Sequence, residues 1–387
     1  MASPPFTRPS SAFPTLGIMG GGQLGRMTAL AAIRMGLNVR FLVPAPAPPV
    51  EQLGVVTVGN WKDADVLRAF AEGCDAVTVE SEWGPADEMA NVLPDGVALW
   101  PAPATLQTIR DKGVQKRMLR DAGLPVPAFA NCATQGEALS TASAYGYPAL
   151  LKRFRGSYDG YGNATIHSPA DLEAAWPKLA DHDGLLVEAW VPFVRELAVL
   201  VARRPSGETA VYPVAYTEQR DHRCHAVVVP AAIDEAVARE AQTLAVKAVE
   251  TVNGVGLTAV ELFELADGSL LINEMAPRPH NTGHYSIEGS HTSQFENHVR
   301  GVLDLPLGAP DMRTPVAVMI NVLGHRTRQP SSTDGYREAL AIPGVDVHLY
   351  GKGVTKPKRK MGHVTATGSD PTEVRERAER AAALIQL

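Results

Sequence analysis

The sequence predicts a multidomain protein of mixed class, α/β in its first domain and α+β beyond it. Three observations carry that expectation. A strand, a glycine turn, a helix and a second strand follow one another over residues 15–43, the opening of a parallel sheet. An acidic hairpin occupies residues 257–274. At 387 residues the chain can bury two or three cores. The expected divisions are a tail over 1–14, a first domain over 15–103, a central domain over 104–306 and a last domain over 307–387.

Composition narrows the class. A net charge of −6 argues against a general nucleic-acid binder. Cys74, Cys132 and Cys224 are scattered and outside any paired spacing, so neither a disulfide framework nor a zinc ribbon is expected. Residues 1–14 are Ser/Pro-rich without an apolar segment, which reads as a disordered tail and not a secretion signal. No apolar run is long enough to span a bilayer, and the chain reads as cytoplasmic.

In the first domain, Thr15 to Met19 is a strand, Gly20-Gly21-Gly22-Gln23-Leu24-Gly25 a turn, Arg26 to Met35 a helix and Asn38 to Val43 a second strand. This is the Rossmann order, in which glycines let backbone amides at a helix N-terminus approach a phosphate. A nicotinamide site would want an acid about 20 residues on. Val43-Pro44-Ala45-Pro46 stands there instead, which counts against a dehydrogenase. Ala76 to Val79 is another strand, ending in Glu80-Ser81-Glu82-Trp83. Ligands of open α/β sheets sit beyond the carboxyl ends of strands, so Glu80 or Glu82 can accept from a ribose or an amine; a solvated loop is the alternative.

The central domain opens with a helix from Thr105 to Ala122, whose Arg110, Lys112, Lys116 and Arg117 are expected mostly on a solvated face. Pro148 to Lys152 is a buried strand whose final lysine wants an anion. The loop Arg153 to Asn163 holds Gly156, Gly160 and Gly162 with Ser157 and flanking basic residues, so its N–H groups can wrap phosphate oxygens; an ordinary glycine-rich hairpin is the alternative. Tyr158 and Asp159 are unusual in a simple phosphate cradle and are expected to face a second substrate. Gly184 to Val191 is a strand running into a linker, where backbone groups can read an adenine edge, Glu188 can accept from its amino group and Glu196 can reach ribose hydroxyls. His222-Arg223-Cys224-His225 reads as a solvated loop, with metal ligation the alternative, and Asp234 to Val252 as an amphipathic helix.

In the hairpin, a turn centred on Asp267-Gly268 sets Leu265 opposite Leu270, Phe263 opposite Ile272 and Glu261 opposite Glu274. Directly opposed carboxylates destabilise a sheet unless a hard cation takes oxygens from both. Magnesium, or manganese in its place, suits the pair; a bulge turning one acid to solvent is the alternative. Arg278, His280, Asn281 and His284 follow, with Pro277, Pro279 and Gly283 fixing the backbone, a cluster suited to gripping a second anion. Zinc on His280 and His284 would lack a third ligand.

The last domain holds strands over Thr314 to Leu323 and Val345 to Tyr350 and a basic loop from Lys352 to His363. On composition that loop is a solvated run or a nucleic-acid patch. Helical spacing of Val374, Ala378 and Ala381 makes residues 371–386 a closing helix.

The order of Lys152, glycine loop, Glu188 strand and Glu261/Asn273/Glu274 hairpin resembles the ATP-grasp enzymes. Within them, Gly20-Gly21-Gly22-Gln23-Leu24-Gly25-Arg26-Met27, Tyr158-Asp159-Gly160, Asn273-Glu274-Met275-Ala276-Pro277-Arg278-Pro279-His280-Asn281 and Gly283-His284 resemble the N5-carboxyaminoimidazole ribonucleotide synthases, biotin-independent carboxylating ligases of purine biosynthesis. The resemblance implies an ATP-grasp fold behind a Rossmann-like pre-ATP-grasp domain, with a lid subdomain within 125–195 and a small C-terminal domain. It implies that Lys112, Lys152, Ser157, Tyr158, Asp159, Gly160, Tyr161, Gly162, Asn163, Glu188, Ala189, Trp190, Val191, Glu196 and Gln219 surround ATP. Asn273 and Glu274 would stand beside its phosphates, and Glu261 and Glu274 would hold magnesium. Gln23, Leu24, Glu80, Glu82, Tyr158 and Asp159 would meet aminoimidazole ribonucleotide, and Lys352, Arg359 and Lys360 its 5'-phosphate. Arg278 and His280 would hold bicarbonate. The implied catalytic set is Tyr158, Asp159, Arg278, His280 and Lys352, with Asp159 moving the amine's proton. ATP, bicarbonate and the ribonucleotide are the implied partners of a homodimer that needs no nucleic acid or membrane. The chain departs from the family at Lys112, Ser157, Tyr161, Asn163 and Ala189, where Arg, Gly, Lys or Arg, Gln and Gln are common. Tyr161 removes a positive charge from the lid.

Overall fold

The computed structural model describes residues 13–156, 161–221, 223–327 and 335–387. The tail expectation over 1–12 and the expectations for Ser157, Tyr158, Asp159 and Gly160 lie outside the described residues.

Five parallel strands build the first sheet: β1 (Thr15–Met19), β2 (Asn38–Val43), β3 (Val55–Val58), β4 (Ala76–Val79) and β5 (Ala98–Leu99), in the order β3-β2-β1-β4-β5. β4 is buried at every position, as befits a parallel strand covered on both faces. Helix α1 (Gln23–Arg34) covers one face, and α2 (Ala64–Ala71) with α3 (Ala86–Ala90) the other.

The helix expected over 105–122 is two helices, α4 (Pro103–Arg110) and α5 (Lys112–Asp121). Asp111 divides them. Its backbone is extended at φ −107°, ψ 105°, and its carboxylate accepts from the Val114 N–H at 3.0 Å. A short acid that satisfies a helix N-terminus competes with the helical ladder at its own position. Lys112 therefore opens α5, and Lys116 stands one turn later on the same face.

A four-stranded antiparallel sheet follows, β6 (Phe129–Cys132), β7 (Ala149–Lys152), β8 (Asn163–Ile166) and β9 (Leu185–Ala189), ordered β6-β9-β7-β8. Helices α6 (Gln135–Tyr145), started by a Thr134/Glu137 capping box, and α7 (Pro169–Leu179) pack on it.

The third sheet has nine strands. β10 (Arg195–Arg203), β11 (Thr209–Val211), β12 (Ala215–Arg220), β13 (Arg223–Val229), β14 (Gly256–Glu264) and β15 (Leu270–Ala276) are joined by β16 (Val316–Leu323), β17 (Val345–Leu349) and β18 (Lys360–Gly368). The path runs β15-β14-β10-β12-β13-β16-β18-β17, so the C-terminal strands continue the central sheet through β13 and β16. Arg223-Cys224-His225, expected in a solvated loop, opens β13 with Cys224 buried; pairing with β12, and the Asn321 side chain donating to the Cys224 carbonyl at 2.9 Å, override its polar composition. Helix α8 (Glu235–Thr251) packs on one face of this sheet. The short α9 (Ser286–Gly289) precedes α10 (Gln294–Val302); α11 (Tyr336–Leu340) and α12 (Pro371–Leu384) close the C-terminal strands.

Helix α10 wedges between the first and third sheets. Its His298 accepts the Leu257 N–H on Nδ1 at 3.0 Å, so Nε2 carries the proton and faces Thr78 Oγ1 of β4 at 3.0 Å. Val299 and Val302 complete the core beneath β1 and β2. This junction brings the loop after β4 to the hairpin β14–β15.

Candidate active site

Glu261 and Glu274 do pair across the hairpin, and Val260–Met275 and Ala259–Ala276 keep the predicted register beyond them, but it is wrong by one on the turn side. The turn is a three-residue loop, Ala266-Asp267-Gly268: the Leu265 N–H donates to the Ser269 carbonyl at 2.9 Å and Gly268 takes φ +82°. Phe263 therefore faces Leu271 and Leu262 faces Ile272. An irregularity next to Glu261 and Leu262 restores the Glu261–Glu274 pair. Its cause is visible in the core, where Ile272 and Met275 both pack against α8. Two residues between two inward ones is a bulge, and it leaves Asn273 and Glu274 together on the other face. The bulge brings an acid to the site where the alternative reading sent one to solvent.

Around this pair the structure gathers lysines, acids and the Arg/His loop. Lys112 bonds to Glu274, and His280 Nδ1 lies 3.8 Å from Glu261 Oε1. Burial would raise the Glu274 carboxyl, yet Lys112, with Lys152 and His280 behind it, holds it down at about 2. Glu261 goes the other way, up to about 8, through burial and then the charges of Glu274 and Glu196. A carboxyl forced toward its neutral form by a second acid is the signature of a missing positive charge. The buried Asn273 Oδ1 also accepts from no donor among the described residues. Two carboxylates and an amide oxygen on one face fit a hard divalent ion such as magnesium.

Lys152 at the end of β7 and Lys116 of α5 grip opposite oxygens of Glu188, each at 2.6 Å. Glu188 is fully buried, and against the cost of burial these two lysines hold its carboxyl near 2. Its oxygens are thus taken inside the protein, where the adenine-edge reading left them for an amino group. The Ala189 N–H is likewise committed, to the Ala128 carbonyl at 2.9 Å. Lys116, expected on a solvated face, is 2% exposed and was missed as a site residue. The one available signal was its spacing of four from Lys112.

On the other side of the acids, Arg278 forks onto Glu82 at 2.6 and 3.3 Å. Burial works to raise the Glu82 carboxyl, and Arg278 keeps it low. Burial and then Arg278 and Lys360 push the His280 ring down to about 3, so it is neutral. Gln294, which no sequence pattern pointed to, fixes this loop by accepting the His280 N–H at 2.9 Å and donating to its carbonyl at 2.7 Å. His280 and His284 are not a zinc pair: His284 Nδ1 faces Gln294 Nε2 at 3.0 Å in the core.

The glycine turn holds a correction. Glu80 Oε2 accepts the N–H groups of Gly22 and Gly25, at 2.6 and 2.8 Å. The amides expected to cradle a phosphate are satisfied by a carboxylate from the neighbouring strand. Cβ atoms on Gly20, Gly22 and Gly25 would fall 2.3, 2.4 and 2.6 Å from Glu80, so these glycines make room for it.

Of the remaining expectations, Gln23 opens α1 half-buried and Leu24 packs beside Met27, Phe295 and Tyr350. Lys352 is buried, donates to the Lys360 carbonyl at 2.7 Å and lies 5.5 Å from the Tyr350 ring centre. Arg359 is exposed and donates to the Val354 carbonyl at 2.8 Å. Glu196 is half-buried on β10, while Gln219 is exposed on β12 opposite Cys224. Tyr161 and Trp190 are exposed, Val191 is buried, and Gly162 accepts the Arg153 N–H before Asn163 opens β8.

Comparison with known proteins places the chain in a family. Residues 13–110 match the ribonucleotide synthetase preATP-grasp domain, 117–295 the ATP-grasp domain and 317–377 the phosphoribosylaminoimidazole carboxylase C-terminal domain. The N5-carboxyaminoimidazole ribonucleotide synthase of Mycobacterium bovis is 43% identical over 95% of this chain and 87% of its own length. That of Synechococcus elongatus is 37% identical over 96% and 94%. A solved N5-carboxyaminoimidazole ribonucleotide synthetase in complex with ADP superposes with a TM-score of 0.88 at 36% identity, covering 97% of this chain and 98% of that one. The Aspergillus clavatus enzyme with ADP and aminoimidazole ribonucleotide gives 0.87 at 34%, covering 96% and 98%. The chain belongs to the N5-carboxyaminoimidazole ribonucleotide synthase family of ATP-grasp ligases.

Proposed function

We propose that the protein catalyses ATP- and bicarbonate-dependent carboxylation of 5-aminoimidazole ribonucleotide, releasing ADP and phosphate, in purine biosynthesis. The observation that carries this reading is the Glu261–Glu274 pair, flanked by Lys112 and Lys152 on one side and by the Arg278–Glu82 pair with His280 on the other.

A bicarbonate oxygen takes the γ-phosphoryl of ATP, a new P–O bond forming as the bond to the β-phosphate oxygen breaks. The exocyclic amine then attacks the carboxyl carbon of carboxyphosphate, phosphate leaves and the amine gives up a proton. Glu261 and Glu274 would hold magnesium, which when bound would supply charge neutralisation at the transferring phosphoryl. Lys112 and Lys152 hold the nucleotide's phosphates, and Asn273 stands beside them. Arg278 offers bicarbonate a guanidinium already oriented by Glu82, and His280 adds a neutral ring that does not acidify the intermediate. Glu80, fixed through one oxygen, meets the ribonucleotide with the other; Gln23 and Leu24 line the same end, Tyr158 is assigned to the same substrate, and Lys352, Arg359 and Lys360 clamp its phosphate. Asp159 takes the amine's proton. Carboxyphosphate hydrolyses in water, so the reaction needs a site closed to solvent while the intermediate exists. The protein works as a cytoplasmic homodimer on small molecules; among the described residues no helix is long and apolar enough to cross a membrane.

The test is ADP formation with ATP, magnesium and bicarbonate, with and without aminoimidazole ribonucleotide. A sharp rise that needs both the ribonucleotide and bicarbonate is expected. Release driven instead by glycinamide ribonucleotide and formate overturns the assignment. Asp159→Asn should abolish product while ADP still binds; unchanged turnover removes Asp159 from the reaction.

A further inference from the structure

Lys116 has no part in the reaction as described, yet it is 2% exposed and carries a charge at the heart of the nucleotide site. Burying an ammonium is costly unless something close compensates it. Two partners do. Nζ lies 2.6 Å from Glu188 Oε2 and donates to the Asn273 carbonyl at 3.2 Å. The first partner belongs to β9 of the four-stranded sheet and the second to the bulge of β15. Lys116 is therefore a joint between the sheet that carries Lys152 and the strand that carries Glu274.

The charge arrangement has a direction. Glu188 sits between two lysines, with Lys116 on Oε2 and Lys152 on Oε1. The Lys116 side chain is walled in at 2% exposure, whereas that of Lys152 keeps 10%. The protein side thus neutralises Glu188, and the trio retains one positive charge, on the lysine that faces out. With Lys116 uncharged, Glu188 and Lys152 would form a closed neutral pair, and a polyphosphate would meet no net charge there.

We infer that Lys116 is a positioning residue for nucleotide binding: it neutralises Glu188 and anchors the Asn273 bulge, so that Lys152 presents an uncompensated charge to the nucleotide's phosphates. This inference rests on the ATP-dependent reading, since it names a further residue of that site.

Calorimetric titration with ADP in the presence of magnesium tests it on the full chain. Lys116→Met keeps most of the aliphatic stem and removes the charge, and is expected to weaken ADP binding about tenfold or more, the equivalent of about 1.4 kcal/mol. Adding Glu188→Gln to that variant restores the net charge of the trio and should recover most of the loss. Electrostatic positioning predicts this rescue, whereas a purely packing role does not. Unchanged ADP affinity in Lys116→Met, or a double variant no better than the single one, overturns the inference. Should the Met variant fail to fold, Lys116→Arg and Lys116→Gln carry the same contrast: Arg should bind ADP within threefold of wild type and Gln should not, and equal weakening sinks the idea. ADP affinity is independent of the amine that accepts the carboxyl group, so failure here is distinct from failure of the assigned reaction, which appears as ADP release indifferent to aminoimidazole ribonucleotide.

Discussion

Glu261 is held in an unfavourable state by its own fold, and that has opposite consequences for stability and activity. Its carboxyl titrates near 8 in the folded protein, so as pH rises from the ordinary carboxylate range through 8 the folded state loses stability relative to the unfolded chain. Glu261→Gln removes the repulsion with Glu274. At pH 8 without metal, this variant should melt roughly 2 °C or more above wild type. With magnesium its turnover should fall about 100-fold or more, because half of the carboxylate pair is gone. A lower melting point in chelator would show that the pair is not strained. Glu80 permits a second test at one atom. A Cβ on Gly25 would lie 2.6 Å from Glu80 Oε2 and 3.2 Å from the Gly20 carbonyl, so Gly25→Ala must move the acid. The KM for aminoimidazole ribonucleotide should rise about tenfold, with the KM for ATP unchanged; parallel rises in both would indicate general damage. The sequence displayed both partners of this contact, the glycine turn and Glu80, but not their meeting. They are 55 and 58 positions apart, and a glycine turn looks the same whether a phosphate or an internal carboxylate fills it.

Elements with a strong local pattern were legible, and those decided by a single backbone choice were not. β1, β2 and β4 are apolar runs bounded by turn residues, and their expected bounds match the strands found. The hairpin register depends on whether Asp267-Gly268 forms the whole loop or Gly268 closes a three-residue one, which Asp-Gly alone does not determine. A bulge then cancels the shift, so the Glu261–Glu274 pair was anticipated through a register that is wrong by one on its turn side. The break at Asp111 was hidden because Asp is tolerated inside a helix as well as at its start. There the side chain caps α5 through the Val114 N–H and lies 3.1 Å from Arg155. Asp111→Ala should cost about 1 kcal/mol of stability through the lost cap. It should also raise the KM for ATP, because Lys112 and Lys116 occupy the first two turns of the helix that it starts. A stability loss without any change in KM would mean that packing alone positions the two lysines.

At the scale of the whole molecule, the site exists because α10 joins two sheets, and that joint is built on histidines that must stay neutral. His298 accepts the Leu257 N–H on one nitrogen and faces Thr78 with the other, so a second proton would set N–H against N–H in a dry interior. Burial holds its folded value at about 3; His280 is also near 3, and His284 and His363 lie well below the ordinary histidine value. Unfolded histidine titrates near 6.5. Below that pH the unfolded chain binds protons that the folded protein refuses, so stability is complete above about 6.5 and is lost as pH falls toward about 3. Glu261, raised to about 8, and Glu80, also raised, oppose this, but these four histidines outnumber the two acids. Each neutral histidine adds a slope of about 1.4 kcal/mol per pH unit. Urea unfolding at pH 7.5, 6.5, 5.5 and 4.5 should therefore show stability falling steeply through the lower three values. His298→Gln separates the joint from the background. It should be less stable than wild type at pH 7.5, because the two bonds across the joint are remade imperfectly. Below pH 6.5 its slope should be shallower by about 1.4 kcal/mol per unit. A variant with the wild-type slope would show that His298 titrates like an exposed histidine. The joint between the sheets would then have to rest on Val299, Val302 and their apolar neighbours alone.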